Sequence, residues 1–314
     1  MQQFGSMFAD TLPTLSSLRS APRAFANWLG VSGRDEKPAA RIMLFHGTPR
    51  REAAALERQL RWLKGRFDVV PLRSIVTAAS ATGAVGDKLA LTFDDGLRSN
   101  VEVAYPILHR LALPATFFVC PGLVDRESWL WTHEVRRRLA RLDAAARREL
   151  AREWNAPEET EAFVGWMKEL RAAERKQVET RLRDATPAFA PTRAEREEFD
   201  LASWRELSKL DPAIISIGSH TLTHPILPST QPAELETEVR DSRRQLERGL
   251  QRPVDLFAYP NGDLNREVEA CVRRHYRAAV TSSMGWVRRG TDTHRLPRLG
   301  APRGVLRLAR RIYP

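Results

Sequence analysis

Two histidines four residues apart and a pair of adjacent aspartates are the residues whose types and spacing indicate chemistry. His220 and His224 lie in SIGSHTLTHP, and Asp94 and Asp95 close the apolar run LALTFDDG. Two imidazoles and one carboxylate can hold a divalent metal and leave coordination positions open for water and substrate. The second carboxylate then remains free to act as a base, which together is sufficient for metal-assisted hydrolysis.

Each motif also has a structural interpretation. Adjacent carboxylates on an extended chain point to opposite sides, so one could bind a metal while the other reaches the attacking water, and Gly96 allows a sharp turn after them. By itself, however, DDG favours an Asx-type turn that caps a helix. Single histidines are likewise more often structural than ligands. The two motifs together make a strong case for a metal site.

The elements that would position these residues alternate between strands and helices from Ala40 onward. The predicted strands are RIMLF, FDVVPL, KLALTF, PATFFV, AIISIGSH, VDLFAY and RAAVTS, and the predicted helices between and after them are REAAALERQLRWLKG, SNVEVAYPILHRL with Ser99 as N-cap, SWRELSKL, AELETEVRDSRRQLERGL, NREVEACVRRHY and the tail GVLRLARRIYP. This alternation predicts a parallel α/β sheet or barrel.

Candidate chemical groups follow directly after several of these strands. His46 follows RIMLF, the aspartate pair follows LALTF, His220 follows AIISIGS, and the segment Tyr259 to Gly262 follows DLFA. In a (β/α) barrel the carboxyl ends of the strands converge on one face. We therefore expect these sequentially distant residues to be neighbours.

Two segments fall outside the alternation. Residues 1–38 are expected to be a lead-in segment, with a dimer arm or a membrane-touching helix as alternatives, and residues 39–314 form the predicted domain. Residues from about 129 to 201 interrupt that domain with two or three helices rich in Arg, Glu and Ala. This insertion is interpreted as a lid beside the site or as a mere packing excursion.

Composition narrows the class of protein. The 314 residues carry a formal net charge of +11, which indicates either an arginine-rich soluble surface or attraction to anions such as phosphorylated or lipid-linked substrates. Cys120 and Cys271 lie in apolar contexts and are expected to be buried free thiols. Without a signal-peptide pattern or a long apolar run, we expect a cytoplasmic protein, with peripheral contact to the inner membrane as an open alternative.

TFDDG at 92–96 and HTLTH at 220–224 together resemble the polysaccharide deacetylases of carbohydrate esterase family four, which have a nodulation-protein-like domain. Both motifs match that family's pattern, and the likeness covers roughly residues 40–130 and 200–300. The resemblance implies a distorted (β/α)7 barrel and metal-dependent hydrolysis of acetyl groups on sugars. It implies that Asp94 is the general base and that Asp95, His220 and His224 are the metal ligands.

The sequence departs from that family at two positions. Ala258, in FAYPNGD, stands where the family has an arginine that pairs with the base, and Arg298 is the hypothetical replacement. The usual acid histidine near the C-terminus is also missing. His46, in LFHGTP, resembles the first-strand acid of the permuted biofilm-type branch and is assigned as general acid, with a structural histidine as the alternative.

The remaining substrate contacts are predicted from the same loops. The Asn261 backbone amide is expected to stabilise the oxyanion, Tyr259 is a candidate substrate contact, and Trp131 with Trp129 could line a sugar groove or pack in a core. One divalent metal is expected, with Zn²⁺ as the default and Mn²⁺, Co²⁺ or Ni²⁺ as alternatives.

The sequence thus predicts an amidohydrolase that removes an acetyl group from an amino sugar of a polysaccharide or of its lipid-linked precursor, by metal-activated water with Asp94 as base. The alternatives are a deformylase of a lipid-linked amino sugar and a catalytically weak sugar-binding or assembly protein. No signature supports nucleic-acid binding.

Overall fold

The computed structural model describes residues 39–80, 85–126 and 128–313. The predicted lead-in at residues 1–38 lies outside these ranges. Within the described residues the strands are β1 (Arg41–Phe45), β2 (Asp68–Val69), β3 (Lys88–Phe93), β4 (Ala115–Val119), β5 (Ile215–Ser219), β6 (Leu256–Ala258), β7 (Ala278–Met284) and β8 (Leu296–Gly300). The helices of the barrel are α1 (Ala53–Lys64), α2 (Leu72–Ser80), α3 (Tyr105–Leu111), α9 (Trp204–Ser208), α10 (Pro232–Glu236), α11 (Ser242–Leu250), α12 (Arg266–His275) and α13 (Val305–Ile312).

Seven parallel strands close into a barrel, as predicted. In the described part of the chain the ring runs β1, β3, β4, β5, β6, β7, β8 and back to β1, while the short β2 pairs with the beginning of β3. The ring is uneven, because β1 pairs with β3 over five residues whereas β5 and β6 share the single pair Ser219 and Phe257. This unevenness is the distortion of the (β/α)7 barrel.

Side-chain alternation along β3 determines which residues face the same side as the site. Leu89, Leu91 and Phe93 belong to the large apolar cluster that also holds residues of α1, α3 and α12. Ala90 belongs to a second cluster, with residues from β1, β4, β6, β7 and β8. Since side chains alternate along a strand, Thr92 shares the face of Ala90. A polar side chain on this face requires a polar partner.

The insertion contains five helices, namely α4 (Trp131–Leu139), α5 (Ala144–Glu153), α6 (Thr160–Glu169), α7 (Ala172–Ala185) and α8 (Arg193–Phe199). The two long helices expected from HEVRRRLARLDAAARRELAREW and TEAFVGWMKELRAAERKQVETRL are each divided in two, at Asp143 and at Arg171, which are the N-caps of the following helices. The Asp143 side chain accepts a hydrogen bond from the Ala146 amide, so the cap begins a new helix.

Other local predictions also needed correction. The strand expected over FDVVPL is only Asp68–Val69, and Pro71 instead precedes α2. Ser99 is the N-cap residue of the π-helical turn Asn100–Ala104, but its side chain forms no cap hydrogen bond and accepts the Thr48 amide instead. The tail helix α13 packs on the barrel through Leu308, Ala309 and Ile312. The thiols of Cys120 and Cys271 are free and buried, as expected.

No helix in the described ranges is long and apolar enough to cross a membrane.

The insertion has an apolar core of its own, which includes Leu139, Phe163, Met167 and Leu182 and reaches Ile226 of the barrel. It is therefore a packed helical layer.

The loop after β4 lies directly against the loop after β5. The Gly122 amide donates to the Leu222 carbonyl at 2.9 Å, and a Cβ atom at Gly122 would lie 2.6 Å from the same oxygen. No side chain larger than hydrogen fits at this approach without moving the HTLTH loop.

We predict that Gly122→Ala lowers stability by about 1–3 kcal/mol through overpacking. Gly165→Ala is the matched control, because nothing lies within 4 Å of its added Cβ. At an exposed position inside α6, alanine should raise stability by up to about 1 kcal/mol. Thermal unfolding measures both variants, and an unchanged melting temperature for Gly122→Ala would contradict the close approach.

Candidate functional site

Asp94 follows β3 and is joined to Arg298 of β8 by a buried ion pair. The two guanidinium nitrogens Nη1 and Nη2 donate to Oδ1 and Oδ2 of Asp94, each at 2.7 Å. Arg298 is 1% exposed and Asp94 is 3% exposed. Two parallel, charge-assisted hydrogen bonds fix both the position and the orientation of the carboxylate.

Arg298 also donates to groups other than Asp94. Its Nε donates to the Thr281 carbonyl at 2.7 Å, and Nη1 also contacts Thr92 Oγ1 at 3.1 Å. Burial raises the pKa of Asp94, but the positive charges of Arg298 and of the neighbouring histidines outweigh it, so the pKa lies below its ordinary value. Asp94 is therefore ionised at neutral pH.

Asp95 faces away from Arg298 and toward the two histidines. Its Oδ1 lies 3.6 Å from His220 Nε2 and 3.7 Å from His224 Nε2, and all three residues are buried. These distances exceed those of hydrogen bonds. They match the separation of roughly 3.4 Å between two ligand atoms of a tetrahedral metal with bonds of about 2.1 Å. We call Asp95, His220 and His224 the ligand triad.

Backbone geometry produces this divergence of the two aspartates. Asp95 and Gly96 both have positive φ angles, of 75° and 69°. A Cβ at Gly96 would lie 3.1 Å from the Val119 side chain, so glycine meets both the conformational and the steric requirement. The turn directs Asp95 toward His220 and leaves Asp94 with Arg298.

The two histidines are oriented by their outer contacts. His220 Nδ1 lies 2.7 Å from the Ala258 carbonyl, to which it donates a hydrogen bond, and this leaves Nε2 directed at Asp95. His224 has a φ of 60°, its amide donates to Thr221 Oγ1, and its carbonyl accepts from Trp131 Nε1 at 3.2 Å. The ring of His220 is thus oriented by a hydrogen bond, whereas His224 is positioned through its backbone and its Nδ1 has no hydrogen-bond partner among the described residues.

The loop between the histidines is held by one carboxylate. Glu238 Oε2 accepts from the amides of Leu222 and Thr223, at 2.8 and 2.9 Å. This residue and Thr221 were not identified from the sequence. A glutamate within a helical repeat of charged residues carries no signal that distinguishes it from a solvated one.

The charges of the triad fit a cation. Burial raises the pKa of Asp95, but the nearby imidazoles outweigh it and the pKa falls below its ordinary value. Burial and the neighbouring His220 lower the pKa of His224 to about 3, so its imidazole is neutral. Burial lowers the pKa of His220, but the two carboxylates outweigh this and raise it. One carboxylate and two imidazoles form the donor set of a divalent transition metal.

Two further imidazoles border the triad. His46 is exposed at the end of β1, and its charge lowers the pKa of both Asp94 and Asp95. His133 of α4 stacks on Phe199 at 4.6 Å. Burial lowers the pKa of His133, and the charge of Asp95 acts against that effect. His133 lies in WLWTHE, where no motif distinguishes it from a structural histidine.

The loop after β6 places Asn261 and Tyr259 differently. Asn261 has a φ of 55°, its Oδ1 accepts from Lys168 of the insertion at 3.2 Å, and its Nδ2 is buried without a partner in the described residues. Tyr259 is fully buried and its hydroxyl donates to the His294 carbonyl. The Tyr259 amide donates to the Val280 carbonyl. The Tyr259 side chain is therefore part of the core, and this burial corrects the expectation that it contacts substrate.

Trp131 and Trp129 are each 7% exposed, which favours core packing over a sugar groove as the interpretation of these two residues. Arg175 covers the Trp131 ring at 4.9 Å, and Trp131 Nε1 binds the His224 carbonyl. Trp129 Nε1 donates to Asp200, the residue that also pairs with Arg98. These indoles connect the insertion to the site, and part of each also lines a cavity between the insertion and the barrel.

We predict that Arg298→Ala leaves Asp94 buried without its main partner, so that burial raises the pKa of Asp94. Breaking a buried pair costs about 3–5 kcal/mol at neutral pH. The low Asp94 pKa of the wild type supplies stability that is present above the unfolded pKa and is lost as the pH falls. The stability gap between wild type and variant should therefore narrow toward acid pH. Urea unfolding over a pH series measures this, and a gap independent of pH would contradict it.

We predict that Trp131→Phe weakens binding of Zn²⁺ by about 10-fold or more, because the His224 carbonyl loses its donor while the ring volume is largely kept. Trp166→Phe is the matched control, since Trp166 packs in the same insertion core and forms no hydrogen bond to the histidine loop within the described residues. A competition titration with a chelating dye gives both affinities. Equal affinities for the two variants would contradict the positioning role.

Comparisons with known proteins identify the fold and the family of this chain. None of the curated proteins matches the sequence significantly. Among solved structures, the Streptococcus pyogenes deacetylase PplD in complex with acetate is 18% identical with a TM-score of 0.60, and the match covers 88% of this chain and all of that one. IcaB from Ammonifex degensii is 17% identical with a TM-score of 0.57, and the match covers 84% of this chain and 92% of that one. The BpsB deacetylase domain from Bordetella bronchiseptica is 15% identical with a TM-score of 0.55, and the match covers 86% of this chain and 98% of that one.

At these identities the structures show a shared fold. The family itself is shown by the polysaccharide deacetylase model, which matches residues 83–279 and so spans TFDDG, the insertion and HTLTH. The resemblance expected from the two motifs is thereby confirmed, and the chain belongs to the polysaccharide deacetylase family.

Proposed function

We propose that this protein is a metal-dependent hydrolase that removes an acetyl group from an amino sugar of a polysaccharide or of its precursor. The observation that carries this proposal is the ionised Asp94, held by Arg298 directly beside the ligand triad. A base and a set of metal ligands on neighbouring residues are the groups that amide hydrolysis by water requires.

Asp95, His220 and His224 would hold the metal, which we propose to be Zn²⁺. When bound, a divalent metal supplies positive charge that polarises a carbonyl group and promotes the ionisation of water. The protein residues supply proton transfer and orientation. Asp94 accepts a proton from the attacking water, because each carboxylate oxygen retains a lone pair beyond the one engaged by Arg298.

Arg298 is a positioning residue in this account. It takes the role that the family's arginine would have at Ala258, but from β8, and it keeps Asp94 ionised and fixed. The reaction forms a C–O bond to the acetyl carbon and breaks its C–N bond, releasing acetate and a free amine. His46, which is exposed at the same rim, donates the proton that the leaving amine requires.

Two donors of Asn261, in the loop after β6, would stabilise the developing oxyanion. The backbone amide of Asn261 is the donor proposed from the sequence. The buried Asn261 Nδ2 lacks a partner in the described residues, and Lys168 lies 3.2 Å from Oδ1 of the same side chain. A fixed dipole with a nearby positive charge favours negative charge on an adjacent oxygen.

The substrate is proposed to be a lipid-linked precursor at the cytoplasmic face of the inner membrane. The net charge of +11 supports this location through attraction to anionic lipids. Helix α13 adds Arg307, Arg310 and Arg311 on its exposed side, together with Leu306, which is 61% exposed. A basic helix with an exposed leucine suits contact with a membrane surface.

The test is acyl release from oligomers of N-acetylglucosamine by protein loaded with Zn²⁺. We predict release of acetate, and about 10²-fold or greater loss in Asp94→Asn, which removes the base and keeps all three ligands. Formate released from N-formylated oligomers, without acetate, would support the deformylase alternative. A fully loaded protein that releases neither acid would support the sugar-binding alternative and contradict the proposal.

We further predict that His46→Gln lowers kcat by about 10²-fold while its Zn²⁺ content equals that of the wild type, because His46 is an acid and not a ligand. A substrate with a good leaving group, such as an acetylated nitrophenol, needs no proton on departure and should restore most of the lost rate. His109→Gln is the matched control, since His109 lies on α3 with 57% of its side chain exposed. Full turnover by His46→Gln on the amide would exclude this role.

A further inference from the structure

A large cleft separates the insertion from the barrel. It consists of two cavities of about 570 and 690 Å³, one on the side of α8 and the other on the side of α7. The two cavities share five lining residues, which are Arg126, Ser128, Trp129, Glu134 and Arg138. Their combined size is sufficient for several sugar units or for a comparably large ligand.

The cleft begins next to the ligand triad. Trp131 and Thr223 line its second cavity. Trp131 donates to the carbonyl of His224, and Thr223 directly precedes that histidine in the chain. The second cavity therefore reaches the loop that carries His224, although none of the three ligand residues lines it.

Positive charge predominates on the cleft walls. The inner carboxylates are neutralised, because Glu134 pairs with Arg138 and Arg183, and Asp200 pairs with Arg98. Three exposed cations that line the cleft form no ion pair within the described residues, namely Arg126, Lys176 and Arg196. Among the described residues, Asp125 and Glu234 are the exposed carboxylates that line the cleft, so the described walls carry a positive surplus.

One buried donor also lacks an acceptor. Arg175 lines the second cavity with a side chain that is 11% exposed, and its Nε donates to Glu179 at 3.2 Å. Its Nη1 atom is buried and has no hydrogen-bond partner among the described residues. An unsatisfied buried donor on a charged group is costly unless an acceptor oxygen binds to it. A guanidinium group is best matched by a phosphate or a carboxylate.

We propose that this cleft binds an oxyanion group of the glycan substrate, a phosphate or a carboxylate, while the acetylated sugar occupies the ligand triad. The inference rests on the proposed function for its biological meaning, but binding can be measured without turnover. It assigns the substrate to the acidic or phosphorylated glycans and gives the insertion a role in recognition.

The test is calorimetric titration of the full-length protein, loaded with Zn²⁺, with two anionic probes. Glucose 1-phosphate represents a phosphate-bearing precursor, and trigalacturonate represents an acidic polymer. Maltotriose is the uncharged control. We expect one of the anionic probes to bind, the uncharged one not to bind, and the affinity to fall as salt is raised. Binding by glucose 1-phosphate alone identifies phosphate as the ligand, and binding by trigalacturonate alone identifies carboxylate.

Variants locate the site. We expect the double variant Arg126→Ala, Arg196→Ala to weaken binding of the recognised probe by about 5-fold or more. Arg148→Ala is the matched control, because Arg148 is an exposed, unpaired arginine of α5 that does not line either cavity in the described structure. Equal weakening by the control, or no binding of either anion, would overturn the proposal.

His220→Ala separates this inference from the proposed function. It removes a ligand of the triad, and we expect probe binding to remain within about twofold of the wild type. Loss of binding in this variant would place the probe at the triad and overturn the cleft proposal. Probe binding to a protein that releases no acetate would contradict the proposed function and leave the cleft assignment standing.

Discussion

The buried ion pair between Asp94 and Arg298 is the interaction on which the site depends. Ionised groups are costly to bury, and their attraction offsets that cost only when every donor is satisfied. Here Arg298 donates to Asp94, to the Thr281 carbonyl and to Thr92, whose hydroxyl in turn donates to the Met43 carbonyl. The network therefore joins β1, β3, β7 and β8 across the barrel. The same contacts that make burial of the pair tolerable also fix the carboxylate beside the ligand triad.

The insertion completes the site from the opposite side. Its first helix holds His224 through Trp131, and its middle reaches Asn261 through Lys168. Its exit pairs with the loop after the aspartates, where the Ala202 amide donates to the Gly96 carbonyl and the Arg98 amide to the Asp200 carbonyl. Loops after β3, β5 and β6 are thus connected by one helical layer. Of the two interpretations of this segment, the contacts favour a cover over the site that also positions its residues.

The sequence was sufficient to predict the family, the barrel and the grouping of the polar residues. The grouping could be predicted because strand ends converge in a (β/α) barrel and the motifs follow the strands. The divergence of Asp94 and Asp95 was also expected, from alternation along an extended chain, but the structure produces it by a turn with positive φ at Asp95 and Gly96. Arg298 could be suggested as the partner of Asp94 only because Ala258 left that place open. The role of Trp131 was not predictable, because a tryptophan in an amphipathic helix has the same pattern whether it stacks on a sugar or donates to a carbonyl. Tyr259 was misplaced for a similar reason, since a tyrosine after a strand can point to the site or to the core. The breaks within the insertion depend on caps that the continuous charge pattern conceals.

The proposed function requires that Asp95, His220 and His224 form one metal site. The most direct test is the metal content of purified protein by mass spectrometry, after reconstitution with Zn²⁺ and removal of excess metal. The account predicts about one metal per chain in the wild type and in His109→Ala, a control on the exposed side of α3, and almost none in His220→Ala. A wild-type protein that retains no metal, or a His220→Ala protein that retains as much as the wild type, would contradict it.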